Sequence, residues 1–180
     1  MKMKKFIILM LICIGMMCST VHAQHVAYIS REVPTFNTSV KTWMPYKACA
    51  WGSPQRNFSE SSWCYTDSYG FRRAYGESDF GVNDDYYLVA MGSYYSRTIG
   101  DKFRVTTDTG RVFYVVLAEF KDDRHTNSTH QWGTDNKDVL EFLVDSTILD
   151  IKVKRIGSCN VHMPLNGSIV KLEEMNFIHE

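Results

Sequence analysis

The sequence predicts a mainly β protein, a small closed barrel of six or so short strands with one short helix. Three observations carry that expectation. Aromatic residues make up 13% of the 180-residue chain, mostly Tyr and Phe, and such side chains suit a pleated, half-buried surface. Residues 112–118 read VFYVVLA, an unbroken apolar run of β-branched and aromatic residues, as in a central strand buried on both faces. Phe103-Arg104-Val105-Thr106 alternates apolar with polar, and Asp108-Thr109-Gly110 follows as a turn, which reads as a half-buried strand entering a hairpin.

Taken in order, residues 1–23 have the layout of a secretory signal peptide. Lys2, Lys4 and Lys5 open it, residues 6–17 are apolar, and Val21-His22-Ala23 precedes Gln24 as a small-residue cleavage site. The apolar run is shorter than the roughly 20 residues that span a bilayer. No later stretch is long and apolar enough, so no membrane association is expected after signal removal. Residues 24–85 read as a lead-in packing on the barrel, with few periodic positions and with Pro34 and Pro45. Residues 86–180 read as the barrel domain. Within it, 86–90 form a short strand ended by Gly92, and 121–137 form a long exposed polar loop. Residues 139–144 form another buried strand. Residues 145–156 are expected to be helical, capped by Asp145 or Ser146 and stopped by Gly157. A last hairpin is expected from 159–163 and 168–173 across Leu165-Asn166-Gly167.

Charge narrows the partners. The whole chain balances 20 Lys and Arg against 20 Asp and Glu, but three of those lysines lie in residues 1–23, which hold no acid. The remainder is mildly acidic, which excludes a nucleic-acid binder held by a basic surface. Of five cysteines, Cys13 and Cys18 leave with the signal; Cys49, Cys64 and Cys159 remain. That odd number allows one disulfide, with Cys49–Cys64 the first choice, or three thiols in a weakly oxidising setting.

The order of elements over residues 99–145 resembles a double-psi β-barrel, as in rare lipoprotein A, membrane-bound lytic transglycosylase A and the three-aspartate domains of exported proteins. The matching steps are Ile99-Gly100-Asp101-Lys102-Phe103-Arg104-Val105-Thr106, then Thr109-Gly110-Arg111, then the apolar strand ending at Glu119, then Leu143-Val144-Asp145-Ser146. Val89-Ala90-Met91 is similar to the upstream step. The chain also resembles exported proteins of anaerobic Gram-positive bacteria. There the likeness lies in Val89-Ala90-Met91-Gly92-Ser93-Tyr94-Tyr95, in residues 117–127 and in Glu141-Phe142-Leu143-Val144-Asp145.

The resemblance implies a six-stranded double-psi barrel acting on cell-wall glycan in the secreted or wall-associated compartment, without a cofactor. In the transglycosylase group an aspartate at the end of the barrel strand is acid and base. Glu119 stands at that position, keeping the carboxyl but moving it by one methylene. That change fits either a retained general acid or a binding module without catalysis. A general acid would need a carboxyl held partly protonated, which a low-dielectric barrel mouth supplies. Asp145 resembles the aspartate of the family's strand-to-helix step. Asp122, Asp123 and His125, in the loop beyond Glu119, are candidates to hold a sugar or orient a water, and Gly76-Glu77 matches an upstream Gly-Glu. Trp132 and the tyrosines at 86, 87, 94 and 95 are candidates to stack on sugar rings, the ones beside the long loop above all. His125 and His130 are five apart with no helix to align them, and no CxxC, HExxH or Gly-rich phosphate loop occurs, so no metal site is expected. Glu119 and Asp145, each ending a buried strand, are expected at one end of the barrel.

Overall fold

A computed structural model describes residues 24–34, 44–48 and 64–179. Among these residues the protein is mainly β, with one short α-helix, as the sequence predicts. Among the described residues nine strands form one sheet. They are β1 (Gln24–Arg31), β2 (Tyr46–Ala48), β3 (Cys64–Thr66), β4 (Arg72–Ala74), β5 (Tyr86–Met91), β6 (Lys102–Thr107), β7 (Val112–Phe120), β8 (Leu140–Val144) and β9 (Ile169–His179). The helix α1 spans Ile151–Ile156.

β5 and β7 form the centre. All six residues of β5 are buried, as are Val115 through Glu119 of β7. Tyr87, Val89 and Met91 face the larger core with Phe103, Val105, Phe113, Val115 and Leu117. Tyr86 and Leu88 face the smaller core with Val116, Ala118, Leu143 and Met175. An apolar strand without alternation is what this two-sided burial requires, because successive side chains point to opposite faces. β6 is covered on one face, and its burial alternates accordingly.

The pairing is mixed. β7 runs parallel to β5 and antiparallel to β6. The other edge of β5 is shared: its first two residues pair with β4, and Val89, Ala90 and Met91 pair antiparallel with β8. β2 extends β8 in parallel. From β7 the sheet continues through β6 and β9 to β1. Among the described residues the ladders end at β1 on one side and at β2 and β3 on the other, so the sheet does not close into a ring. Six expected strands become nine because the one expected at 159–163 does not form while β1 to β4 gain strand geometry from their partners rather than from their own patterning. Residues 24–85, expected as a lead-in, supply these four strands.

Two local expectations are corrected. The helix begins at Ile151, not near 145; Asp150 is its N-cap, its side chain accepting from the Lys152 N–H at 2.7 Å. Gly157 does end it, at φ 78°. The segment before it is held by an Asx turn, in which the Asp145 carboxylate accepts from Thr147 N–H at 2.9 Å and Thr147 Oγ1 at 2.6 Å. The final hairpin is absent: Cys159–Val161 and Met163–Leu165 are single 3₁₀ turns. Cys159 N–H is donated to the Met44 carbonyl at 2.7 Å instead of to a partner strand. β9 pairs with β6 on one edge and with β1 on the other.

Candidate functional site

A β-bulge sets the position of Glu119. Leu117 stands opposite Val89, but Glu119 stands opposite Ala90, so Ala118 is one extra residue in β7. Without it, Glu119 would oppose Met91 and point into the larger core. The bulge turns Glu119 to the other face and lets Phe120 pack on the core instead, a re-aiming that bulges commonly provide. Glu141 also stands opposite Ala90, from β8. Lys47, on β2 beside Leu143, reaches the same place. Its ammonium contacts Glu119 Oε1 at 2.5 Å, with Glu119 only 8% exposed.

These groups line a cleft of about 330 Å³ together with Phe120, Lys121, Asp122, His125, Asp135, Asn136 and Asp138. Lys121, half-buried, is ion-paired with buried Asp138 and lies 3.8 Å from Glu141. Five carboxylates thus face two ammonium groups across the cleft. The Lys47 ammonium donates to Glu119 Oε1, a charge-assisted hydrogen bond across the cleft.

The loop over the cleft is built, not merely solvated. The carboxylate of Asp122 accepts from Arg124 N–H at 3.0 Å and from its guanidinium. This side-chain bond holds the Asp122 carboxyl well below the usual carboxylate range. Asn127 Oδ1 accepts from Gln131 N–H at 2.7 Å and Trp132 N–H at 3.1 Å. Gly92 lies so close to the loop that a Cβ there would overlap the His130 carbonyl oxygen. Only glycine lets β5 and this loop approach in that way.

The expected site divides. Glu119, Asp122 and His125 line one cleft. Asp123 does not: its Oδ1 accepts from Ser93 Oγ at 2.9 Å, and it lines a neighbouring hollow of about 460 Å³ that shares Phe120, Lys121 and Asp122. Trp132 packs half-buried on the larger core. Tyr86, Tyr87 and Tyr95 are buried core residues; Tyr94, beside Tyr95, is 42% exposed.

Asp145 is at the other end. β8 runs antiparallel to β5, and Asp145 lies four residues beyond Glu141, a distance of roughly 13 Å along a strand. Its N–H is donated to Gly70 O at 2.8 Å. Glu77 is likewise remote, paired with Lys102 at 2.7 Å and accepting from the Tyr86 hydroxyl at 3.3 Å. The expected convergence of Glu119 with Asp145 therefore fails, because strands entering and leaving one end of a sheet present opposite termini there.

The residues that sequence reasoning did not identify are Lys47, Lys121, Asp135, Asn136, Asp138 and Glu141. Glu141 carried a signal, as the one charge in a strand otherwise buried. Lys47 carried none. Among the described residues no group of three or more His, Cys, Asp or Glu is arranged to hold a metal ion, and no helix is long and apolar enough to cross a membrane. Burial pushes the Cys159 thiol well above its ordinary range, so it is not a thiolate nucleophile. The Cys49–Cys64 pair lies outside the described residues at Cys49. Scans of protein-family models, curated proteins and solved structures find no match to this chain.

Proposed function

We propose that the chain is an exported, cell-wall-associated β protein that binds glycan in the cleft beside Glu119 without cleaving it. The supporting observation is the Lys47–Glu119 pair at 2.5 Å in a cleft where Lys121 is likewise held by Asp138. Donors and acceptors held in place before a ligand arrives are what sugar hydroxyls require, since little entropy is then lost on binding. Lys47 occupies Oε1 of Glu119, the carboxyl that a glycan-cleaving mechanism would use. Asp145, the second expected catalytic acid, is too far along β8 to assist.

The test uses purified peptidoglycan with the wild type and with Glu119→Gln. Co-sedimentation of the wild type with the insoluble wall, with no soluble fragments, is expected. Asp135→Ala and Asn136→Ala, both at exposed cleft positions, should weaken co-sedimentation together. Release of anhydro-sugar ends by the wild type, abolished in Glu119→Gln, would instead make Glu119 the acid/base, a change worth about 10²–10⁴ in rate. Export has its own measurement: the mass of the secreted protein should place Gln24 at or near the N-terminus.

A further inference from the structure

A second cleft, of about 550 Å³, lies between the start of β5, the Gly110 turn and the Met163–Leu165 turn. It shares no residue with the Glu119 cleft. Its volume is within the range of small-ligand sites.

Tyr87 lines this cleft and is only 4% exposed. Its ring is locked in the core, edge-on to Phe71, Phe113 and Phe142. Its hydroxyl has no hydrogen-bond partner among the described residues. Among the described residues Tyr95 carries the one side-chain polar atom that is both unpartnered and sealed from solvent, so the Tyr87 hydroxyl keeps contact with solvent and is available to a ligand in the cleft that its residue lines. Burial raises its pKa, so it is a neutral O–H able to donate.

The two arginines of the cleft differ. Arg73 is engaged: it lies 3.6 Å over the Tyr87 ring, donates to Asp85 O at 2.6 Å and to Tyr86 O at 3.2 Å, and approaches Asp67 at 3.4 Å. Arg111 is exposed, and its guanidinium has no ion pair or hydrogen bond among the described residues. Asp84, also exposed, is in the same condition. Val112 and Met163, 50% and 63% exposed, leave apolar surface on the rim.

We propose that this cleft binds the carboxyl-terminal end of a short peptide with a small apolar last side chain. Arg111 takes the carboxylate, whose planar oxygens its guanidinium matches. The Tyr87 hydroxyl donates a further hydrogen bond, Asp84 accepts from a ligand N–H, and Val112 and Met163 cover the apolar side chain. The assignment is independent of the glycan reading: it uses other residues and another ligand.

The test is an NMR titration of the full chain with N-acetyl-alanyl-alanine, in L and D forms, and with the corresponding C-terminal amides. The free acid should bind saturably and shift Arg111, Val112 and Met163, with the amide about tenfold weaker or worse, the factor for one charge-assisted hydrogen bond. Arg111→Ala, a change at an exposed position, should erase the preference for acid over amide. Tyr87→Phe, which keeps the ring, should weaken the acid several-fold. Equal binding of acid and amide would overturn the proposal, as would an unchanged preference in Arg111→Ala. So would absence of saturation at millimolar ligand, or shifts confined to the residues around Lys47 and Glu119. Because Arg111→Ala leaves the core untouched, the result stands even if Tyr87→Phe folds poorly.

Discussion

Lys47 and Glu119 lie 72 residues apart, and their contact joins β2 to β7. The pair is neither fully exposed nor fully buried, with side chains 30% and 11% accessible. Its worth should fall between a surface pair and a buried one. Removing the carboxylate in Glu119→Ala, or the ammonium in Lys47→Met, should each destabilise by about 1–2 kcal/mol. In a double-mutant cycle read by urea unfolding, the two losses should be less than additive. Strict additivity would mean that the pair contributes nothing to folding.

His162 gives a second residue-scale expectation. It is buried against Phe71 and Tyr69, with ring centroids at 5.0 and 4.7 Å. Burial lowers its pKa below the ordinary value of 6.5. The unfolded chain therefore binds the proton more readily. The stability contributed by neutral His162 is complete above pH 6.5 and is lost as pH falls through that value toward the depressed folded one. Urea midpoints measured between pH 8 and pH 5 should decline in the wild type, and the decline should be shallower in His162→Phe. An identical slope in both proteins would place the pH dependence elsewhere.

At the scale of the element, the 145–156 segment shows how one sequence signal has two possible owners. By sequence the N-cap is expected at Asp145 or Ser146. The chain gives Asp150 the helix and Asp145 the turn before it. Asp150→Ala should cost about 1 kcal/mol and loosen α1. Asp145→Ala should leave the Ile151–Ile156 amides as protected as in the wild type, measured by hydrogen exchange. Loss of helix protection in Asp145→Ala would return the cap to residue 145. The bulge at Ala118 works at the same scale. One additional residue changes the faces of Glu119 and Phe120, so the cleft owes its carboxylate to an insertion that no alternation pattern reveals.

For the whole molecule, the centre of stability is where β5, β7 and β8 meet. Phe142 is fully buried there, 5.6 Å from the Tyr87 ring and 6.0 Å from Phe71. Phe142→Ala should cost about 3–5 kcal/mol, since the rigid strands around it cannot close the space. Thermal unfolding of the variant should come many degrees lower than in the wild type. A shift of only a few degrees would show that the core relaxes around the gap.

The sequence by itself determined the β class, the strands at β5, β6, β7 and β8, the Gly110 and Gly157 turns, and the grouping of Glu119 with Asp122 and His125. These features are local: side-chain period, a glycine in the left-handed region, or neighbours in one strand and its loop. Tertiary structure decided the rest. β1, β2 and β4 are strands because β9, β8 and β5 offer them edges, and β3 because β4 does; short segments with weak patterning take their conformation from their partner. Lys47 and Glu141 entered the cleft through pairing register, Asp138 through its ion pair with Lys121 from the segment before β8, and Asp145 left it through strand direction. A sequence shows which residues alternate, but not which end of the sheet each strand presents.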